Sequence, residues 1–496
     1  MSKYIRIHPD DNVAVAFSDL NAFVMLDDGS TLPLPAPIPA GHKFALSAIP
    51  AGGMAVKYGY PIGHVLVDIR PGEWIHTHNL STNLEGEKEY VRIGLRPGVQ
   101  PIITDMPVFM GYRRPGGGIG VRNEIWIIPT VGCVNHLAER LAELGNEKKR
   151  PGVDCVVAFP HPHGCSQLGD DFERTRTILA GLARHPNAAA VFVIGLGCEN
   201  NSLDSFRELV LPGGGDDPRF AFMQAQDEGD EIAAGMKHLD RLQAFAGTFR
   251  REDIPVSELC IGLKCGGSDG FSGITANPLL GAFSDWLIDC GGRAILTEVP
   301  EMFGAEESLL ERAVDDDVFE RGARMINDFK RYFLSHGQVV YENPSPGNKT
   351  GGISTLEDKS LGCTQKGGAR PVTDIIAYGE TARFPGLTLL SGPGNDLVAT
   401  TALAAAGAHI TLFTTGRGTP LGGPNPIVKV STNSALAKLK AHWIDFDAGP
   451  VADGKKLADL LPSFTEKVLC VASGDATRNE INKYRDFAIF KDGVTL

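Results

Sequence analysis

The chain has no uninterrupted apolar run long enough to cross a bilayer. Its first 25 residues have no basic start followed by an apolar core, so no secretory signal is expected. It also has no cationic excess. Lys and Arg total 47 against 60 Asp and Glu, a net charge of −13. That balance argues against non-specific nucleic-acid binding and against an anionic membrane surface. A small anionic substrate stays open, because it needs only a few local cations. No G-x-G-x-x-G opens a helix and no G-x-x-x-x-G-K-[ST] occurs, so dinucleotide and nucleotide binding fare poorly. The nine cysteines match neither a zinc CxxC pair nor a ferredoxin run. They read as thiols in a cytoplasmic protein. Long repeats and low-complexity segments are missing as well. What remains is an ordinary globular composition, 43% hydrophobic and 22% charged, in 496 residues, enough for more than one core.

Residues 1–95 carry short apolar runs, such as Val13–Phe17 and His64–Ile69, separated by turn signals like Asp27-Asp28-Gly29. This pattern predicts a small all-β unit. It ends in Trp74-Ile75-His76-Thr77-His78, where strand alternation would put His76 and His78 on one face. Two such imidazoles could hold a metal or flank a substrate; the alternative is a surface pair. Residues 96–110 contain three prolines and read as a linker. The interval 111–250 reads as a first α/β subdomain and 251–496 as a second.

From Ile125 onward apolar runs lead repeatedly into polar loops. The first of these loops carry Cys133, Cys165, Cys198 and Cys265, spaced by 32, 33 and 67 residues. Those intervals match one, one and two strand–helix units. The expected fold is therefore a small all-β N-terminal domain plus a large α/β part, with a parallel, Rossmann-like sheet and a second α/β subdomain. Ligands bind at the carboxyl edge of such a sheet, where the four cysteines should converge. Burial as small hydrophobes and iron–thiolate ligation both remain open for them.

The richest stretch is Lys264–Pro278, where four glycines between a buried strand and a helix would let a ligand approach the backbone. Asn277 is the expected cap of that helix and Pro278 its first residue. Gly266-Gly267-Ser268-Asp269-Gly270 fits a G-x-S-x-G elbow, with His336, His409 or His442 as triad partners. Against a serine hydrolase stand the glycines that continue to Gly273 and the charge of Asp269 where an oxyanion hole should be. Glu342–Lys366 reads as a long functional loop, since it has almost no apolar pattern.

Several of these segments together resemble the altronate/galactarate dehydratase family. They are Gly-Leu-Gly-Cys-Glu-Asn-Asn at 195–201, Cys-Gly-Gly-Ser-Asp-Gly at 265–270, Glu-Asn-Pro-Ser-Pro-Gly-Asn-Lys at 342–349, Leu-Glu-Asp-Lys-Ser-Leu-Gly at 356–362 and Thr-Thr-Gly-Arg-Gly at 414–418. Residues 1–95 are similar to that family's SAF-type domain. Gly-Cys-Ser-Gln at 164–167 and Leu-Gly-Cys-Thr-Gln-Lys at 361–366 look closest to its altronate-specific members. The resemblance implies loss of water from a sugar acid, D-altronate giving 2-keto-3-deoxy-D-gluconate, with galactarate as the alternative substrate. It also implies Fe2+ or Mn2+. The cysteines by themselves leave an iron–sulfur cluster as the alternative. The expected assembly is a homo-oligomer, taken as a dimer.

The chemistry then asks for a base at C2, cations for an enediolate and an acid for the leaving hydroxyl. Lys264 is the expected base, its pKa lowered by burial, with Lys359 as the other candidate. Asp269 or Glu301 is the expected acid. Arg122, Lys349 and Arg417 are expected to hold the substrate carboxylate and hydroxyls, with Ser268 and Asn348 as neutral partners. The metal is expected on His76 and His78, or alternatively on Cys133, Cys165, Cys198 and Cys265.

Overall fold

The computed structural model describes residues 3–92, 106–213 and 215–496. Most of the expected linker therefore lies outside the described residues. Its last residues belong to a strand, Val108–Arg113, which pairs antiparallel with Glu252–Pro255. That pairing straddles the expected boundary at 250.

The N-terminal residues form the expected β unit. Tyr4–Ile5, Val13–Ala16, Lys43–Ala45 and Trp74–Ile75 make one antiparallel sheet, and Met54–Lys57, Tyr60–Val65 and Leu80–Ser81 make another. The unit is not autonomous in its packing. Its core includes Ala305 and Leu361 from the large part. Its buried Lys43 and Lys57 both reach Asp358, at 2.8 and 3.0 Å.

The large part holds the expected parallel sheet and a second α/β unit built on a parallel sheet of its own. The first has the order Val156–Ala158, Glu124–Pro129, Ala188–Gly195, Phe220–Gln224. All eight residues of Ala188–Gly195 are buried, as a strand covered on both faces demands. The second sheet has seven strands, in the order Val372–Ile376, Gly386–Leu390, Arg293–Leu296, Cys260–Cys265, Ile410–Thr415, Ile427–Ser431, Phe446–Asp447. Its pairings are parallel throughout. The chain runs from Cys260–Cys265 outward to one side and later returns to its other side at Ile410–Thr415. The strand order therefore reverses between these two, which opens a crevice at their carboxyl ends.

Two sheets also overturn the convergence of four cysteines. Cys133, Cys165 and Cys198 follow strands of the first sheet, whereas Cys265 ends the central strand of the second. The interval of 67 residues holds a change of sheet, which spacing alone does not reveal.

Candidate active site

Cys260–Cys265 is buried at every residue and ends at the crevice. Its following loop is held to the loop after Ile410–Thr415, since Gly266 N–H donates to Thr414 O at 3.0 Å and Arg417 N–H to Gly267 O at 3.1 Å. The glycines serve a different purpose from the one expected. A Cβ on Gly270 would lie 2.0 Å from Gly41 O, and one on Gly273 would lie 2.1 Å from Tyr58 Oη. They admit the N-terminal unit, not a ligand, to close approach. The helix starts at Ala276, and Asn277 does not cap it. Asn277 instead donates to Gly362 O at 2.9 Å and accepts from Thr414 Oγ1 at 2.6 Å.

At this edge lies a cluster of three lysines, three carboxylates and two thiols, all buried except the half-exposed Asp396. Lys264 donates to Glu298, to Asp396 at 2.8 Å and to Cys265 O at 2.7 Å. Lys359 pairs with Glu301 at 2.8 Å. Lys366 donates to Cys265 Sγ at 2.8 Å and lies 3.5 Å from Glu298. Cys265 donates to Glu301 at 3.2 Å, and its sulfur is 3.4 Å from that of Cys363. Six ionic groups in a low-dielectric site are stable only because each is paired.

The pairing sets the protonation. Burial alone would lower the Lys264 pKa, but Glu298, Asp396 and Glu301 outweigh it and hold the ammonium well above its ordinary value. The expected depressed lysine is thereby corrected: the anionic neighbours were not visible as neighbours in the sequence. Lys359 is raised likewise, with Glu301 overcoming desolvation. Glu301 is held low, because Lys359, Lys366 and Lys264 overcome its desolvation. Glu298 is pushed up by burial and by the neighbouring Glu301. Glu298 also has φ 72°, a left-handed conformation that costs a non-glycine residue about 1 kcal/mol or more.

Cys265, Glu301 and Cys363 offer three donor atoms within 4.8 Å of one another, the one such group among the described residues. Two thiols and a carboxylate suit a borderline-soft divalent ion.

The other expected site residues divide between those bound into the fold, those beside the cluster and those at the rim. Arg122 is buried and commits its guanidinium to Glu480, Val121 O, Val471 O and Asp475 O. Its fork has nothing left for a substrate. Asp269 accepts from Phe271 N–H, Ser272 Oγ, Thr432 Oγ1 and Asn433 Nδ2, so it fastens the loop. Asn348 donates to Ser268 O at 2.8 Å, and its carbonyl caps the helix Pro346–Thr350. Ser268 lines a cavity of about 10 Å³ together with Asp269, Lys359 and Cys363, room for one water. Lys349 is half-buried, and Arg417 is exposed, with one 3.3 Å bond to Gly347 O. A triad on Ser268 is not assembled. His409 sits at the start of Ile410–Thr415, where it accepts from Cys260 N–H, and so lies at the amino edge of the sheet.

His76 and His78 do not share a strand face, because the strand ends at Ile75 and a turn follows. His76 stacks on Trp74 and lies 3.1 Å from Ser354 Oγ. The region Glu342–Lys366 is not one loop. It holds the helices Pro346–Thr350 and Leu356–Thr364, and all nine residues of the second are buried. Its apolar pattern is missing because its core neighbours are the charges of this site.

Sequence reasoning passed over Glu298, Asp396, Cys363 and Lys366. Each sat inside a segment already marked as a polar loop, but nothing local ranked it above its neighbours.

Comparison with known proteins agrees with this architecture. Residues 2–83 match the altronate/galactarate dehydratase SAF domain. Residues 111–247 match the D-galactarate dehydratase/altronate hydrolase second domain, and residues 256–495 match the D-galactarate/altronate dehydratase C-terminal domain. Altronate dehydratase of Escherichia coli (strain K12) is 52% identical over 503 residues, covering 100% of both chains. The chain belongs to the altronate/galactarate dehydratase family. A second family member, altronate dehydratase of Bacillus subtilis (strain 168), is 51% identical over 500 residues, again with 100% of both chains covered. Galactarate dehydratase (L-threo-forming) of Escherichia coli is more distant, at 33% over 95% of this chain and 93% of its own. Within the family the buried lysine–carboxylate–thiol cluster falls inside the C-terminal match. No helix among the described residues is long and apolar enough to cross a membrane.

Proposed function

We propose that this chain is a carbon–oxygen lyase that removes water from D-altronate to give 2-keto-3-deoxy-D-gluconate. The observation that carries this reading is the full-length likeness, above 50%, to two altronate dehydratases, against 33% to a galactarate dehydratase. The site chemistry agrees with it. Loss of water across C2 and C3 begins with a weakly acidic proton beside a carboxylate, so the developing enediolate needs concentrated positive charge. Lys264, Lys359 and Lys366 supply that charge. In this reading Lys264 acts as a cation and proton carrier, and Glu298 takes the C2 proton. A charged lysine is no base, whereas Glu298 is a carboxylate that burial makes more basic. Lys359 protonates the departing hydroxyl. Arg417 and Lys349 hold the substrate carboxylate at the rim.

The donor set of Cys265, Glu301 and Cys363 favours Fe2+ over Mn2+, because manganese prefers oxygen ligands. Bound there, such an ion would add Lewis-acid stabilisation to the enediolate. His76 and His78 are set aside as ligands: His42 lies beside His76, but among the described residues these imidazoles form no group of three donors within 4.8 Å. The remaining proposals are a cytoplasmic homodimer and the division of the chain at 1–95, 96–110, 111–250 and 251–496.

The test is turnover. Purified protein with Fe2+ is offered D-altronate or galactarate, and the 2-keto-3-deoxy product is measured. Conversion of altronate at least tenfold faster than galactarate is expected. Equal rates, or preference for galactarate, would remove the assignment.

A further inference from the structure

We infer that Cys133, Cys165 and Cys198 form a three-thiolate site for a [4Fe–4S] cluster, separate from the thiols Cys265 and Cys363. The three residues follow Glu124–Pro129, Val156–Ala158 and Ala188–Gly195, which are neighbours in the first parallel sheet with Glu124–Pro129 in the middle. Their loops therefore leave the same edge side by side. Hydrogen bonds stitch the loops together. Gly132 N–H donates to His163 O at 2.9 Å, and Asn201 N–H to Gly164 O at 3.1 Å. Ser166 N–H donates to Asn200 Oδ1 at 3.2 Å. Cys165 is thus bracketed by the loop of Cys133 on one side and that of Cys198 on the other.

The loop conformations are unusual and fixed. Ser166 has φ 59°, a left-handed conformation in a non-glycine residue, beside the tightly placed Gly164. A Cβ on Gly164 would lie 2.0 Å from Thr130 O. Retained strain of this kind is a feature of ligand-holding loops. Beneath the rim the fully buried Asn201 leaves its Oδ1 without a hydrogen-bond partner.

The chemistry of the rim suits iron and sulfide. All three thiols are exposed, which is unusual for unmodified cysteines and leaves them open to a ligand. The carboxylate next to Cys198, Glu199, is spent on Gly197 N–H, Leu196 N–H and Thr130 Oγ1. A single ion does not fit. Thiolates at about 2.3 Å from one metal lie within about 4 Å of each other. Among the described residues these three sulfurs form no group within 4.8 Å. A cluster is wider, and its iron atoms take thiolates that stand further apart. Each thiol gives up its proton as an iron–sulfur bond forms. Three thiolates serve three irons and leave the fourth open to an oxygen donor.

The inference does not rest on the proposed reaction, and its test does not use activity. The full chain is incubated without oxygen with equal amounts of Fe2+ and Fe3+, together with sulfide, then desalted. Broad visible absorption with about four irons and four acid-labile sulfides per chain is expected. Cys133→Ser, Cys165→Ser and Cys198→Ser should each lose the absorption and the labile sulfide while keeping the wild-type circular dichroism. Cys265→Ser and Cys470→Ser, the latter at an exposed cysteine elsewhere, should keep both. A colourless wild-type protein overturns the inference. So does a triple serine variant, folded by circular dichroism, that holds as much sulfide as wild type.

Discussion

Glu298 leaves the strand Arg293–Leu296 in a left-handed turn, and from there its carboxylate accepts the ammonium of Lys264 at the crevice of the seven-stranded sheet. Lys264 also pairs with Asp396 and Glu298 with Lys366, so the pair sits at the centre of the site's charge network. Glu298→Gln is expected to abolish solvent-deuterium exchange at C2 of altronate as well as dehydration, by about 10²-fold or more. Lys264→Ala should slow both steps, because the enediolate loses its nearest cation. If Glu298→Gln exchanges the C2 proton at the wild-type rate, the base lies elsewhere.

Arg417 and Arg122 should separate binding from folding. Arg417 is exposed at the rim, and Arg417→Ala should raise KM or lower kcat/KM about tenfold, as loss of one charge-assisted contact requires. Arg122→Ala should leave KM near wild type and lower Tm, since it strands Glu480 and three backbone carbonyls, two of them buried. Reversed outcomes would put the carboxylate site at Arg122.

Among the described residues Asp358 is the one carboxylate paired with the two buried lysines that enter from the N-terminal unit. Asp358→Asn leaves Lys43 and Lys57 without that charge and is expected to cost about 3–5 kcal/mol in urea unfolding. Burial would raise the Asp358 pKa, but Lys43 and Lys57 outweigh it and hold it low. Its contribution is therefore present above the ordinary carboxylate range and is lost only as pH falls through the depressed value. A loss under 1 kcal/mol would mean that the two units are held mainly by apolar contacts.

His185 predicts an acid-side change of stability. Burial lowers its pKa to about 4 from 6.5, with Ala408 O, which accepts its ring N–H at 3.0 Å, opposing the shift. The unfolded chain then binds a proton that the folded one refuses, between those two values. Stability is full above pH 6.5 and falls as pH drops towards 4, by about 3 kcal/mol for this residue alone. His185→Gln should flatten that part of the profile of unfolding free energy against pH. An unchanged slope between pH 6.5 and 4 would reject it.

The sequence by itself determined the element types and their order. Continuous apolar runs such as Ala188–Gly195 mark strands buried on both faces, and alternation with helical segments forces parallel sheets. It also marked the loops that hold Lys264, Glu301 and Lys359, because strand ends are where polar residues gather. Tertiary structure alone decided which loops meet. Cys265 is joined by Cys363, 98 residues later, and Lys264 by Asp396, 132 residues later, because the strand order reverses beside Cys260–Cys265. Periodicity fixes the face of a residue but not the sheet that takes its strand. The protonation of Lys264 follows the same logic. Burial alone would have neutralised it, and only the folded neighbourhood supplies the carboxylates that keep it charged.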